Sequence, residues 1–156
     1  MGTDQDNLNF HDCTTQRNLS EIGRRQAIAY GDDIRRLQIP VLKPVIASPF
    51  CRTVHTAMLA FGVENVQVDP FWVNIYRLSA NLSLIQQQRI LNDLNLLLEE
   101  LPPPGENKVI IAHSFPEGVG LGQISDMGTV IIKPFGRGNG YQVVGRLSLK
   151  ELNELI

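Results

Sequence analysis

Hydrophobic positions along the chain change period several times, and each change marks an element. Residues 1–17 carry neither a helical nor a strand period and read as an irregular loop. Ser20 suits a helix N-cap, and from there Ala27, Tyr30, Ile34 and Leu37 recur at helical spacing, with Arg and Asp on the other face. Ile39-Pro40 closes that helix, because the residue before a proline is pushed out of the α region. The β-branched run over 43–47 reads as a buried strand, and Cys51–Phe61 as a helix stopped by Gly62. Val66–Val68 is a short strand, followed by an Asp69-Pro70 turn. Residues 71–78 are aromatic-rich and fit neither period. A long amphipathic helix is predicted over 82–101, ended by Pro102-Pro103-Pro104-Gly105, and a buried strand over 108–112. Thr129–Pro134 and Tyr141–Leu147 read as a hairpin across Gly136-Arg137-Gly138-Asn139-Gly140, and Ser148 caps a short terminal helix.

Strands alternating with helices argue an α/β fold with a largely parallel sheet. No repeat or linker interrupts the pattern, so 1–156 is expected to form one domain, a length that supports a real core. In such sheets ligands sit beyond the carboxyl ends of the strands. Composition narrows the partners. A net charge of −2 provides no electrostatic footprint for nucleic acid. No apolar run reaches membrane-spanning length, and the polar first residues show no signal peptide.

Two residues follow strand ends closely. Val45-Ile46 runs into Ala47-Ser48-Pro49-Phe50-Cys51-Arg52-Thr53, which sets Arg52 in the first turn of a helix at a strand's carboxyl end. A guanidinium grips phosphate bidentately, and a helix N-terminus adds N–H donors and a positive dipole end. The plain alternative is a strand–turn–helix corner with a surface arginine. His113 ends the run Val109-Ile110-Ile111-Ala112, where a histidine either faces a pocket at the sheet edge or caps the strand. Phe71, Trp72 and Tyr76 either wall a pocket or belong to the core.

Three blocks in order carry a resemblance: Asn18-Leu19-Ser20-Glu21-x-Gly23-Arg24-x-Gln26-Ala27, then Ala47-Ser48-Pro49-Phe50-Cys51-Arg52-Thr53-x-x-Thr56-Ala57, then Ile110-Ile111-Ala112-His113-Ser114. Together they resemble the histidine phosphatase superfamily, the phosphoglycerate-mutase-like fold, over essentially the whole chain. The resemblance implies a three-layer fold, with a mostly parallel central sheet flanked by helices, and a phosphomonoesterase working through a phosphohistidine without metal or cofactor. It makes Arg52 the pocket arginine and His113 the second histidine, stabilising phosphoryl oxygens most effectively when protonated. It sets Arg17 and Asn18 near the substrate mouth, and a small phosphorylated substrate as partner.

The chain departs from the family in two respects. The first strand ending in Arg-His-Gly, whose histidine takes the phosphoryl group, is not found in 1–17. There Thr3-Asp4-Gln5-Asp6 and Asp12-Cys13-Thr14-Thr15-Gln16-Arg17 resemble the loop that follows that motif. The chain thus reads as beginning just after the nucleophile. His11 is a poor substitute, and His55 reads as a helix-face residue. The usual glutamate general acid is not evident, since 71–89 holds no carboxylate; Glu117 is the candidate by proximity, and Asp126 a weaker one.

Without the first strand, the strands over 44–47 and 109–112 are expected to expose unpaired backbone, favouring a homodimer through the gap. Cys13 and Cys51 fall where this fold can bring them together; two free thiols are the first expectation and a disulfide, in an exported protein, the second. Localisation stays open between cytoplasm and export. The alternative to an enzyme is a non-catalytic phospholigand-binding relative, or a truncated gene product.

Overall fold

The computed structural model describes residues 2–156. After a loop with a single 3-10 turn at Cys13–Thr15 come α1 (Glu21–Arg36), β1 (Val41–Ala47), α2 (Cys51–Phe61), β2 (Val66–Val68), α3 (Val73–Arg77) and α4 (Leu84–Leu98). They are followed by β3 (Asn107–Ile111), β4 (Thr129–Pro134), β5 (Tyr141–Leu147) and α5 (Leu149–Asn153). The architecture is mixed α/β: a three-stranded parallel sheet flanked by helices, beside a separate antiparallel hairpin of β4 and β5.

The sheet order is β2-β1-β3, with Val45 opposite Val66 and Ile46 opposite Ile110. The strand over 44–47 was expected to expose unpaired backbone, but β1 has a strand partner on each side. β1 and β3 hydrogen-bond directly, and beyond their ends the Ser48 N–H donates to the Ile111 carbonyl at 3.0 Å. Pro44 has no N–H to give to the ladder, and the β1–β3 register shifts between Leu42 and Ile46 around it. β3 is an end strand of this sheet, so its outer edge has no strand partner among the described residues, as expected for the strand over 109–112.

The two faces of β1 explain the layers. Val45 and Ala47 point to one side and pack with Ala57, Val54 and Phe61 of α2, together with Val66, Val109 and Ile111. Ile46 and Ile110 point to the other and meet Trp72, Ile75, Leu78 and Leu94 from the α3–α4 side. α1 lies against α2, tied by Tyr30, Ile34 and Ala60, and Leu152 of α5 joins this cluster. Val45 and Ala47 have no exposed surface, nor does Phe50, which lies just beyond the strand. Full burial of a side chain the size of Val or Phe contributes roughly 1.5–3 kcal/mol.

Local chemistry sets the ends as the pattern predicted. The Ser20 hydroxyl accepts from the Gly23 N–H, and Gly62 closes α2 at φ 97°. Ser83 and Ser148 each form a reciprocal capping box, with Gln86 and Glu151. Residues 71–78 resolve into a 3-10 turn, Pro70–Trp72, running into the five-residue α3. No helix among the described residues is long and apolar enough to cross a membrane.

Candidate functional site

The corner after β1 is held from a distance by the N-terminal loop. Phe50 stands at the N-cap of α2 but offers no side-chain acceptor. The first N–H of the helix, on Cys51, is taken instead by Gln16 Oε1 at 2.7 Å, while Gln16 Nε2 donates to the Asn9 carbonyl at 3.0 Å. Cys13 and Cys51 form a disulfide, so the first expectation of two free thiols is corrected. Asn18 Nδ2 donates to the carbonyls of Cys13 and Gln16, which fixes the loop's exit into α1.

Arg52 points back over this loop. Its Nη1 pairs with Asp4 Oδ1 at 2.9 Å and also donates to the Arg17 carbonyl at 3.3 Å. The pair is largely enclosed, with the arginine side chain 12% and the aspartate 16% exposed. The guanidinium carbon lies 4.4 Å from the centre of the Phe50 ring and 5.8 Å from that of Tyr76. Aromatic faces attract a cation at these distances and hold it flat. Burial pushes the Asp4 carboxyl up. Hydrogen bonds from the Arg17 N–H and from Arg52, the Arg52 charge and the Tyr76 hydroxyl together outweigh this and hold it below its ordinary value.

His113 comes to the same aromatic platform from the end of β3. Its ring lies 4.8 Å from Phe50, edge-on, and 5.8 Å from Tyr76. Arg52 and His113 thus flank one Phe50 ring, and cannot be farther apart than the sum of their distances to its centre. His113 Nε2 is 2.8 Å from Ser48 Oγ, and Ser48 is wholly buried at the end of β1. Burial, then the Arg52 charge and a smaller contribution from Arg17, outweigh the pull of Asp4 and lower the imidazole to about 4. At neutral pH it is uncharged. A neutral ring can still donate one hydrogen bond to an oxyanion, and a dianion beside it would raise its pKa.

The other residues singled out from the sequence fall into different places. Arg17 contributes its backbone to Asp4 and Arg52, while its residue is exposed. Asn18 acts within the loop, with its buried Oδ1 left without a partner. Glu117 and Asp126 are exposed on the segment after β3, and no hydrogen bond or ion pair among the described residues links either to Arg52 or His113. His55 is half-buried on α2. His11 lies in the exposed loop, at a cleft of about 340 Å³ formed with Phe10, Pro49, Val73 and Arg77. Trp72 is core, whereas Tyr76 is 36% exposed and belongs to the platform. Asp4, Gln16, Ser48 and Phe50 also build this corner and were not assigned to a site from the sequence. Ser48 and Phe50 had a local signal, standing beside Arg52 where strand becomes helix. Asp4 and Gln16 had none, because their partners are far along the chain.

Among the described residues no group of three His, Cys, Asp or Glu side chains gathers as metal ligands. What the site does present is a guanidinium holding an oxyanion, here a carboxylate, beside a neutral imidazole at the carboxyl ends of two adjacent parallel strands. No family model matches the chain, and no curated protein or solved structure matches it either.

Proposed function

We propose that this chain carries the oxyanion-binding part of a histidine phosphatase-type site in a phosphoglycerate-mutase-like fold, with phosphomonoesters as its ligand class. The observation that carries the reading is the Arg52 guanidinium, paired with a carboxylate at the start of α2 while sharing the Phe50 ring with His113. A phosphoryl group offers the same oxygens with more charge, and positioning with charge neutralisation is most of what phosphoryl transfer asks of a protein. Arg52 would take two phosphoryl oxygens, and His113 a third through a ring N–H.

Hydrolysis by this route needs a histidine to take the phosphoryl group, an acid to protonate the leaving oxygen, and water to break the phosphohistidine. His113 bonds to a buried serine, His55 rides on α2 and His11 is on the exposed loop; none has the acceptor's setting. Residues 1–156 are therefore expected to bind without turnover, and hydrolysis belongs to a protein that adds the acceptor. The test is calorimetric titration with phosphate and vanadate, beside an assay with p-nitrophenyl phosphate. Weak binding that Arg52→Ala removes, with negligible hydrolysis, is the expected result. Binding indifferent to Arg52→Ala would overturn the site. Hydrolysis lost on His11→Ala would make His11 the nucleophile.

A further inference from the structure

We infer that the N-terminal loop is a thiol-released strap over Arg52, with Asp4 as a built-in competitor for the oxyanion. This rests on the reading of Arg52 as an oxyanion site.

Three observations converge on it. First, the Asp4 carboxylate occupies the guanidinium that a phosphoryl group would need, and leaves Arg52 only 12% exposed. A tethered carboxylate acts at an effective concentration on the order of millimolar, so it competes with a free ligand without leaving the molecule. Second, the loop is bonded mostly to itself. The Gln5 N–H donates to the Thr15 carbonyl, the Asp12 N–H to the Asn9 carbonyl, and the Thr15 hydroxyl lies on the Asn9 and Asp12 carbonyls. These bonds tie residues 5–15 into one unit. Third, its attachments to the body cluster at one spot: the Cys13–Cys51 disulfide, the Gln16 cap on the Cys51 N–H, the Phe10 edge on Phe50, and Asp4 on Arg52. The covalent attachment is on the residue next to Arg52.

Release is a thiol–disulfide exchange with an external dithiol as reductant. Its thiolate attacks one sulfur, and the Cys13–Cys51 bond takes two electrons and breaks. The two chain sulfurs leave as thiols after gaining two protons, and the dithiol becomes a disulfide. The strap is then held by Asp4 on Arg52 and Tyr76, the Arg52 bond to the Arg17 carbonyl, the Gln16 cap and the Phe10 edge, and a multiply charged oxyanion competes directly for those on Arg52.

Two measurements on the full chain test this, each oxidised and after dithiothreitol. Trypsin cleavage at Arg17 reads strap opening, and phosphate titration reads access to Arg52. Reduction is expected to speed cleavage at least tenfold and tighten phosphate binding about tenfold. Oxidised Asp4→Asn is expected to gain the same affinity with the strap still closed. Equal cleavage in both redox states would overturn the thiol release. No gain in phosphate affinity for oxidised Asp4→Asn would overturn the competitor, and that variant decides the matter if Trp72 fluorescence shows that the reduced chain unfolds. If weak binding persists and still depends on Arg52, only the strap falls. If no form binds phosphate, the oxyanion site falls and the strap with it.

Discussion

Acid should weaken this fold before its carboxylates begin to titrate, and the cause is His113. Its pKa falls from 6.5 to about 4 on folding. The unfolded chain therefore binds a proton that the native site refuses, and stability drops as pH falls through the window between those values. At pH 7 there is no penalty. Linkage puts the loss at about 2 kcal/mol at pH 5 and about 3 kcal/mol once both states are protonated. For a chain of this length, 2 kcal/mol corresponds to a fall in Tm of about 4–8 °C. Asp4, Asp12 and Glu151 are lowered instead, from 3.8, 3.8 and 4.5, so their contributions are present above those values and are lost only at more acid pH. The interval from pH 7 to 5 thus belongs to the histidine. Urea unfolding at pH 7, 6 and 5, followed through the single tryptophan, buried Trp72, measures it. His113→Gln keeps a polar group near Ser48 but cannot titrate, and should flatten the profile. A wild-type stability that is constant from pH 7 to 5, or a slope that survives His113→Gln, would refute the reasoning.

Gly31→Ala should destabilise the fold by about 2 kcal/mol, because the new methyl would overlap the Ala60 carbonyl oxygen and sit 2.8 Å from its carbon, where α1 crosses α2. That outweighs the gain in helix propensity of about 1 kcal/mol, and a thermal melt showing stabilisation would contradict it. Cys13→Ser with Cys51→Ser should lower stability by about 4 kcal/mol in the chain-entropy account, since the bridge spans 38 residues. Urea midpoints of the double variant and the oxidised chain check this, and equal midpoints would count against it.

The corner carrying Arg52 was legible because the period of apolar residues switches at Ser48-Pro49, from the strand's to the helix's. The hairpin was legible from its glycine-rich turn, and α4 from its amphipathic pattern and the proline run, although it spans Leu84–Leu98 and not 82–101. Residues 71–78 were not, since a 3-10 turn followed by five helical residues is too short to show a period. His113 could be set at a strand end, but not its charge, which depends on burial and on Arg52 across the sheet. The disulfide could be named only as the second expectation and the Asp4–Arg52 pair not at all, for a common reason. Both depend on the path of an aperiodic loop, and Asp4 is 48 positions from its arginine.

β1 is the one strand bonded on both sides, and its Val45 and Ala47 are sealed beneath α2. The β4–β5 hairpin bonds only to itself, and none of its residues is fully buried. The molecule is therefore unequal in how tightly it guards its backbone amides. Those of β1 are expected to exchange with solvent deuterium only when the whole chain opens, and those of the hairpin at lower cost as a separate foldon. Ser48 continues β1 and hydrogen-bonds to His113, so the imidazole is anchored to the strand bonded on both sides, while Asp4 reaches Arg52 from the loop at its rim.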